Sequence, residues 1–234
     1  MDKRNIPHDI PSWNITNLPL SLLHTRLSQK QKRMELTLAQ EKALNALVYF
    51  AERIKPLYLT KAIKLLYMAD EQAIRDTGVP ITWLDYKAWR FGPVPEDVYN
   101  KVKQVDNLQK LDAGDGVLYS LKVSDAPADL PEGLVLNPIR PFIDDEFSDY
   151  EIEILQKVID RYGKLTSEQL VDMLHQEGTL WHRVVQANNL KQQFELKSNR
   201  SDYIIEFTDL LDTDYKKAAF EVAYQSHLMQ QNLM

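Results

Sequence analysis

The stretch WRFGPVPEDVY, residues 89–99, places three aromatics, a glycine, two prolines and two acids in eleven positions. How it is read decides where one element ends and the next begins. Phe91-Gly92-Pro93 ends the element that carries Trp83, Tyr86 and Trp89, because glycine frees the backbone and proline forbids the next helical hydrogen bond. Pro95 suits the first turn of a new helix, and Glu96 and Asp97 fall at its positive end. Val98, Val102 and Val105 give that helix a buried face at helical spacing. The expected structure is an aromatic-lined corner between two elements.

Upstream, Thr37 and Gln40 form a capping box, and Leu44, Leu47, Val48, Ala51 and Ile54 make one apolar face that ends near Pro56. A second helix is expected from Thr60 as N-cap to Gly78 as stop, with Ile63, Leu66, Tyr67, Ala73 and Ile74 on one stripe. Asp70 falls on the same stripe. A carboxylate there faces inward and must be hydrogen-bonded or paired, either as a polar staple for packing or as a site residue.

Downstream, the period changes from helical to alternating between Gly114 and Pro141. Val117, Tyr119, Leu121 and Val123 are expected on one face of a small sheet, with Leu134-Val135-Leu136 following after a turn-rich segment. Tyr203-Ile204-Ile205-Glu206-Phe207 is a further strand candidate. Between them the chain returns to helix, with capping boxes at Ser148/Glu151 for 149–162 and at Thr166/Gln169 for a helix reaching His175. The first of these presents Ile152, Leu155, Val158, Ile159 and Tyr162. Thr179 caps a segment carrying Trp181, Val184 and Val185, and a last helix covers roughly 214–230 with Phe220, Ala223 and His227. The expected fold class is α+β: a mostly helical single domain, 37–234, with a small antiparallel sheet, preceded by an extension, 1–36.

With 234 residues, 44% hydrophobic and 26% charged, the chain can bury a sizeable core. A net charge of −6 argues against a surface built wholly to neutralise nucleic-acid phosphates. The charge is uneven: residues 1–36 hold six basic and three acidic side chains, a net +3 against −9 for the rest. A basic arm on an acidic body hints at an interaction tail. The chain has no cysteine, which excludes disulfides, thiolate metal sites and a cysteine nucleophile. Prolines 7, 11 and 19 interrupt any leader-like apolar run, and no membrane span is present, so a cytoplasmic protein is expected.

The search for chemistry yields little. His175 and His182 are separated by Gly178, and no HExxH is present, so no metal is expected. The acids of Asp144-Asp145-Glu146 and of Asp209, Asp212 and Asp214 precede helices, where they serve the dipole and the caps. There is no GxSxG, no GxxxxGK[ST] and no GxGxxG, so neither a nucleophile elbow nor a cofactor loop is expected. A helix-turn-helix across Thr166 to Ala187 would offer only Arg183 to DNA, so nucleic acid is an unfavoured partner without being excluded.

Three separated motifs then agree in order and spacing: KLLYMAD (64–70), FGPVPEDVY (91–99) and LTSEQLVDMLHQEGTLW (165–181). Together they resemble the Panacea domain of SocA-like antitoxins and phage-associated GepA-like proteins, over about residues 38–230. The positions that carry the match are Lys64, Tyr67, Asp70, Gly92, Pro93, Val94, His175 and Trp181, and Phe91 stands where the family usually has tyrosine. The resemblance implies a non-enzymatic bacterial or phage antitoxin that needs no cofactor and neutralises a cognate toxin encoded nearby by direct protein binding. Trp83, Tyr86, Trp89 and Phe91 have the composition of an interface, the expected partner is that toxin, and a homo-oligomer is compatible. The rival readings are a DNA-binding regulator of its own operon and an unrecognised enzyme using Asp70 and His175.

Overall fold

The computed structural model describes residues 36–111, 114–196 and 198–231; the expected extension falls on residues 1–35, which lie outside them, and on Leu36. Helix α1, Leu38–Arg53, starts at Thr37, whose hydroxyl accepts the Gln40 N–H while the Gln40 side chain accepts the Thr37 N–H, each at 3.2 Å. Its residues from Ala43 to Ala51 are buried almost all round, which makes it a core helix.

Strand β1, Leu57–Tyr58, leads straight into α2, Leu59–Thr77. The helix therefore begins before the expected cap. Tyr58 is the N-cap, with no side-chain bond, and Thr60 lies inside the first turn, because sheet pairing holds the chain extended up to Tyr58. Gly78 closes α2 in the left-handed conformation at φ +86°, as its position after the last periodic residue predicts.

The opening stretch is a hairpin. Strands β2, Tyr86–Trp89, and β3, Gly92–Pro95, pair antiparallel around Arg90-Phe91, and Pro95 stands opposite Tyr86. Gly92-Pro93 starts a strand where the sequence pattern indicated a break. Pro95 is consequently the extended N-cap of α3, Glu96–Lys110, and not a residue of its first turn. Val98, Val102 and Val105 are buried as expected.

A second sheet has the order β1-β6-β5-β4, with β4 Val117–Leu118, β5 Leu121–Asp125 and β6 Leu134–Pro138, all antiparallel. The expected alternation from Val117 to Val123 is broken by a turn at Tyr119-Ser120, where Tyr119 takes φ +57°. Leu118 and Leu121 both point inward as a result. The segment 203–207 forms no regular strand: Ile204 makes an isolated bridge with Lys87, and Phe207–Leu210 curls into a 3₁₀ helix.

The remaining helices are α4 Asp149–Tyr162, α5 Ser167–Leu174, α6 Leu180–Ala187, α7 Leu190–Leu196 and α8 Asp214–Gln231. Both capping boxes expected at Ser148/Glu151 and Thr166/Gln169 are present. In α4 the buried residues are Ile154, Leu155 and Val158, a face rotated from the expected one. Helix α2 lies at the centre, packed against α1, α4, α5, β3 and the 3₁₀ helix. Residues Thr37–Met234 thus form one mostly helical α+β unit with small antiparallel sheets.

Gly78 carries two demands at once. Its φ is left-handed, and a Cβ there would stand 2.5 Å from the Lys216 carbonyl of α8. Gly78→Ala is expected to lower stability by about 1–3 kcal/mol, read as a lower urea midpoint with an unchanged slope; an unshifted midpoint would contradict both demands.

Candidate functional site

Helix α2 places Lys64, Tyr67 and Asp70 three residues apart on one buried stripe, as their spacing requires. Asp70 is fully buried and accepts four hydrogen bonds. One carboxylate oxygen takes the N–H groups of Ile81 and Thr82 at 2.8 and 2.9 Å; the other takes the Thr82 hydroxyl and, at 2.7 Å, the Tyr86 hydroxyl. The acid therefore ties α2 to the loop after it and to the first residue of the hairpin. Burial raises its pKa, and the hydroxyl and N–H donors of Thr82, Tyr86 and Ile81 work against that rise. Tyr86 is raised well above its ordinary value by its own burial and by the charge of Asp70.

Tyr67 meets Tyr86 edge-on at 5.1 Å and stacks on Phe207 at 5.6 Å. Its buried hydroxyl has no partner in hydrogen-bonding geometry among the described residues, and burial followed by the nearby Glu71 raises its pKa.

Lys64 is buried to the same degree, yet among the described residues its Nζ donates only to the Pro93 carbonyl, at 2.7 Å. It has no carboxylate partner among the described residues. Burial brings its pKa down to about 7. The lysine also explains Gly92, which sits at φ +98°: a Cβ there would stand 3.2 Å from Lys64 Cε and Nζ. Glycine lets the hairpin come down onto the lysine.

The other side of the hairpin is held by α5 and α6. Trp181 Nε1 donates to the Trp89 carbonyl at 2.8 Å, and His175, the C-cap of α5, stacks on Trp181 at 3.7 Å with planes 8° apart. The His175 Nε2 is buried with no hydrogen-bond partner among the described residues. Burial first, and the Lys64 charge second, lower its pKa to about 4. Lys64, Tyr67, Asp70, Gly92, Pro93, Val94, His175 and Trp181, scattered over 118 positions of sequence, thus meet around one hairpin. Asp70 and His175 are not brought together as an acid–base pair, because the donors to Asp70 come from residues 81, 82 and 86.

The four aromatics singled out as an interface separate in space. Tyr86 and Trp89 are buried, Trp83 is half-buried against Phe220, Tyr224 and His227 of α8, and Phe91 at the hairpin tip is 54% exposed. Trp89 meets the Tyr99 ring edge-on at 5.1 Å and the Arg200 guanidinium at 4.5 Å. Arg200 also lines an open groove of about 590 Å³ with Glu96, Gln193, Asp202 and Tyr203. Lys87 bridges Glu96 and Asp202 beside it. Among the described residues no cluster of three acids or histidines could hold a metal, and no helix is long and apolar enough to cross a membrane.

Sequence reasoning missed Thr82, Arg200 and Ser201. Thr82 was reachable in principle, since a buried acid followed by a Gly-stopped helix needs donors from the returning loop. Arg200 and Ser201 arrive from more than 100 positions away, with Ser201 Oγ donating to the Ala88 carbonyl at 2.6 Å; no local pattern announces them.

Asp70→Ala leaves two amides and two hydroxyls without their acceptor, and a loss of about 3 kcal/mol is expected in chemical denaturation; a loss below about 1 kcal/mol would contradict the knot. Lys64 gives a pH signature. Between pH 7 and 10.5 the unfolded chain binds the lysine proton and the folded chain does not. Stability therefore rises with pH across that window, by up to about 1.4 kcal/mol per unit, and is lowest below it. Lys64→Met is expected to flatten that rise, and an unchanged stability profile would show that the ammonium is not desolvated. For His175 the same sign gives stability present above pH 6.5 and lost as pH falls through about 4.

The family model described as Antitoxin SocA-like, Panacea domain, matches residues 63–182. No curated protein and no solved structure matches the chain. The matched span starts one residue before Lys64 and ends one residue after Trp181, so it encloses Lys64, Tyr67, Asp70, the hairpin, His175 and Trp181, and the chain belongs to the SocA-like antitoxin, Panacea-domain family.

Proposed function

We propose that this protein is an antitoxin that neutralises a cognate protein toxin, encoded nearby, by binding it directly in the cytoplasm. Family membership supports an antitoxin-type, non-catalytic role. The observation that carries the finer reading is the use made of the family positions: they are spent on holding the hairpin between α2 and the α5–α6 pair. Recognition is thereby left to the surface around a rigid frame, where sequence can change without loss of the fold.

On that surface, the hairpin tip presents Phe91 with the Arg90 guanidinium 5.5 Å from its ring, and Arg200 stands over Trp89 close by in the chain's pairing. Aromatic and arginine side chains on a rigid support are the residue types that dominate binding energy in protein interfaces. The basic segment 1–36 offers a second contact of opposite charge to the acidic remainder.

Expression of the neighbouring reading frame is expected to stop bacterial growth, and co-expression of this protein to restore it, with the two purifying together. Phe91→Asp is expected to weaken that rescue at least tenfold in the dose required while leaving the melting temperature unchanged, since about 1.4 kcal/mol of binding corresponds to a factor of ten. Rescue without a complex would sink direct neutralisation. Full rescue by the Phe91 variant and by a chain lacking residues 1–36 would move the interface elsewhere.

A further inference from the structure

Helix α8 is held differently from the other long helices. Leu210 and Leu211, at the end of the 3₁₀ helix, are buried, and beyond them no residue from Asp212 to Gln230 is. Helix α2, of similar length, buries most of its residues. The side of α8 that meets the body, Lys216, Ala219, Phe220, Ala223 and His227 at helical spacing, is only half-buried. Rings carry the contact: Trp83 packs against Phe220, Tyr224 and His227 at 5.5, 5.8 and 5.1 Å, and the Lys216 backbone lies over Gly78. Lys216 Nζ donates to Asp212, Gln225 Nε2 donates to Glu221, and the Thr213 hydroxyl accepts the Lys216 N–H, all within the segment itself. Trp83 takes φ +57°, an unusual conformation for a bulky side chain. It is held there by its neighbour Thr82, whose N–H and hydroxyl are both tied to Asp70. Non-glycine residues kept in such a conformation by their surroundings collect at switching elements.

We propose that α8 is a strap that leaves the body as one unit, pivoting at Asp212-Thr213, while the rest of the domain stays folded, and that in leaving it bares Trp83. The last buried anchor, Leu211, precedes the pivot, so opening leaves the Asp70 knot and the core untouched and breaks only the ring contacts and the approach of Lys216 to Gly78. Elements with few buried contacts occupy the low end of the range of local stabilities in a folded protein. Off the body, a helix of this length is marginal in water, so its amides lose their protection when it opens. The open state presents Trp83, Phe220 and Tyr224, rings that cover one another in the closed state. The strap is a property of the fold and does not depend on toxin neutralisation.

Hydrogen exchange of the full chain under native conditions, followed by mass spectrometry of its peptides, tests this. Amides of α8 are expected to be protected, yet to exchange together and about a thousandfold faster than those of α2. Phe220→Ala and Trp83→Ala are each expected to speed α8 exchange by a further factor of about ten or more. Phe220→Ala changes α8 alone, and the exchange of α2 is expected to stay as in the wild type. Val222→Ala, on the outer side where Val222 is 72% exposed, is expected to leave α8 exchange unchanged. Exchange of α8 as slow as that of α2 would show that it opens only with the whole domain and would overturn the strap. So would α8 amides without protection, exchange that advances gradually from residue 230 toward 214, or an equal effect of Phe220→Ala and Val222→Ala.

Discussion

A single buried carboxylate sets the terms for the rest of the structure. Asp70 cannot stay in the core without donors, and the four it accepts come from Ile81, Thr82 and Tyr86. Satisfying the acid fixes where the chain returns after Gly78 and where β2 begins. Once Tyr86 is placed, its pairing with Pro95 sets the hairpin register, and the register brings Gly92 and Pro93 over Lys64. Trp181 then closes the far side through the Trp89 carbonyl. Each step depends on the one before it, which is why residues so far apart in sequence share one arrangement.

The same arrangement carries unusual electrostatics. Among the described residues, Lys64 is buried against a carbonyl without a counterion, and the half-buried His175 nearby has an unpartnered nitrogen. Burial shifts both toward their neutral forms, and the Lys64 charge adds to the shift of His175. Such groups cost stability relative to apolar side chains of similar size. Their place at the meeting point of α2, the hairpin and α5 gives them a geometric role, since Lys64 selects glycine at 92 and His175 supplies the flat face on which Trp181 rests.

Local signals were legible in the sequence, and long-range pairing was not. The capping boxes at Thr37, Ser148 and Thr166 and the glycine stop at 78 are written within four residues of the backbone groups they satisfy, and all four are present. The inward aspect of Asp70 followed from helical spacing alone. The hairpin was misread because Gly-Pro interrupts a helix and opens an edge strand with equal ease; only the partners Tyr86 to Trp89 decide between them. Helix α7 and the edge contact of residues 199–205 with β2 went unseen for the same reason. The three motifs of the resemblance stand apart in the sequence, and it is the fold that makes them one site.

A paired scan of the proposed neutralisation and of abundance, substituting every residue of α2, the hairpin and α5–α6 in cells that express the neighbouring reading frame, separates frame from recognition most directly. The expected result is that substitutions at Lys64, Asp70, Gly92, His175 and Trp181 lose neutralisation only in proportion to lost folded protein, while exposed positions such as Phe91 lose neutralisation at full abundance. Fully abundant, folded variants of Asp70 or His175 that no longer neutralise would contradict it and give those buried groups a direct part in the activity.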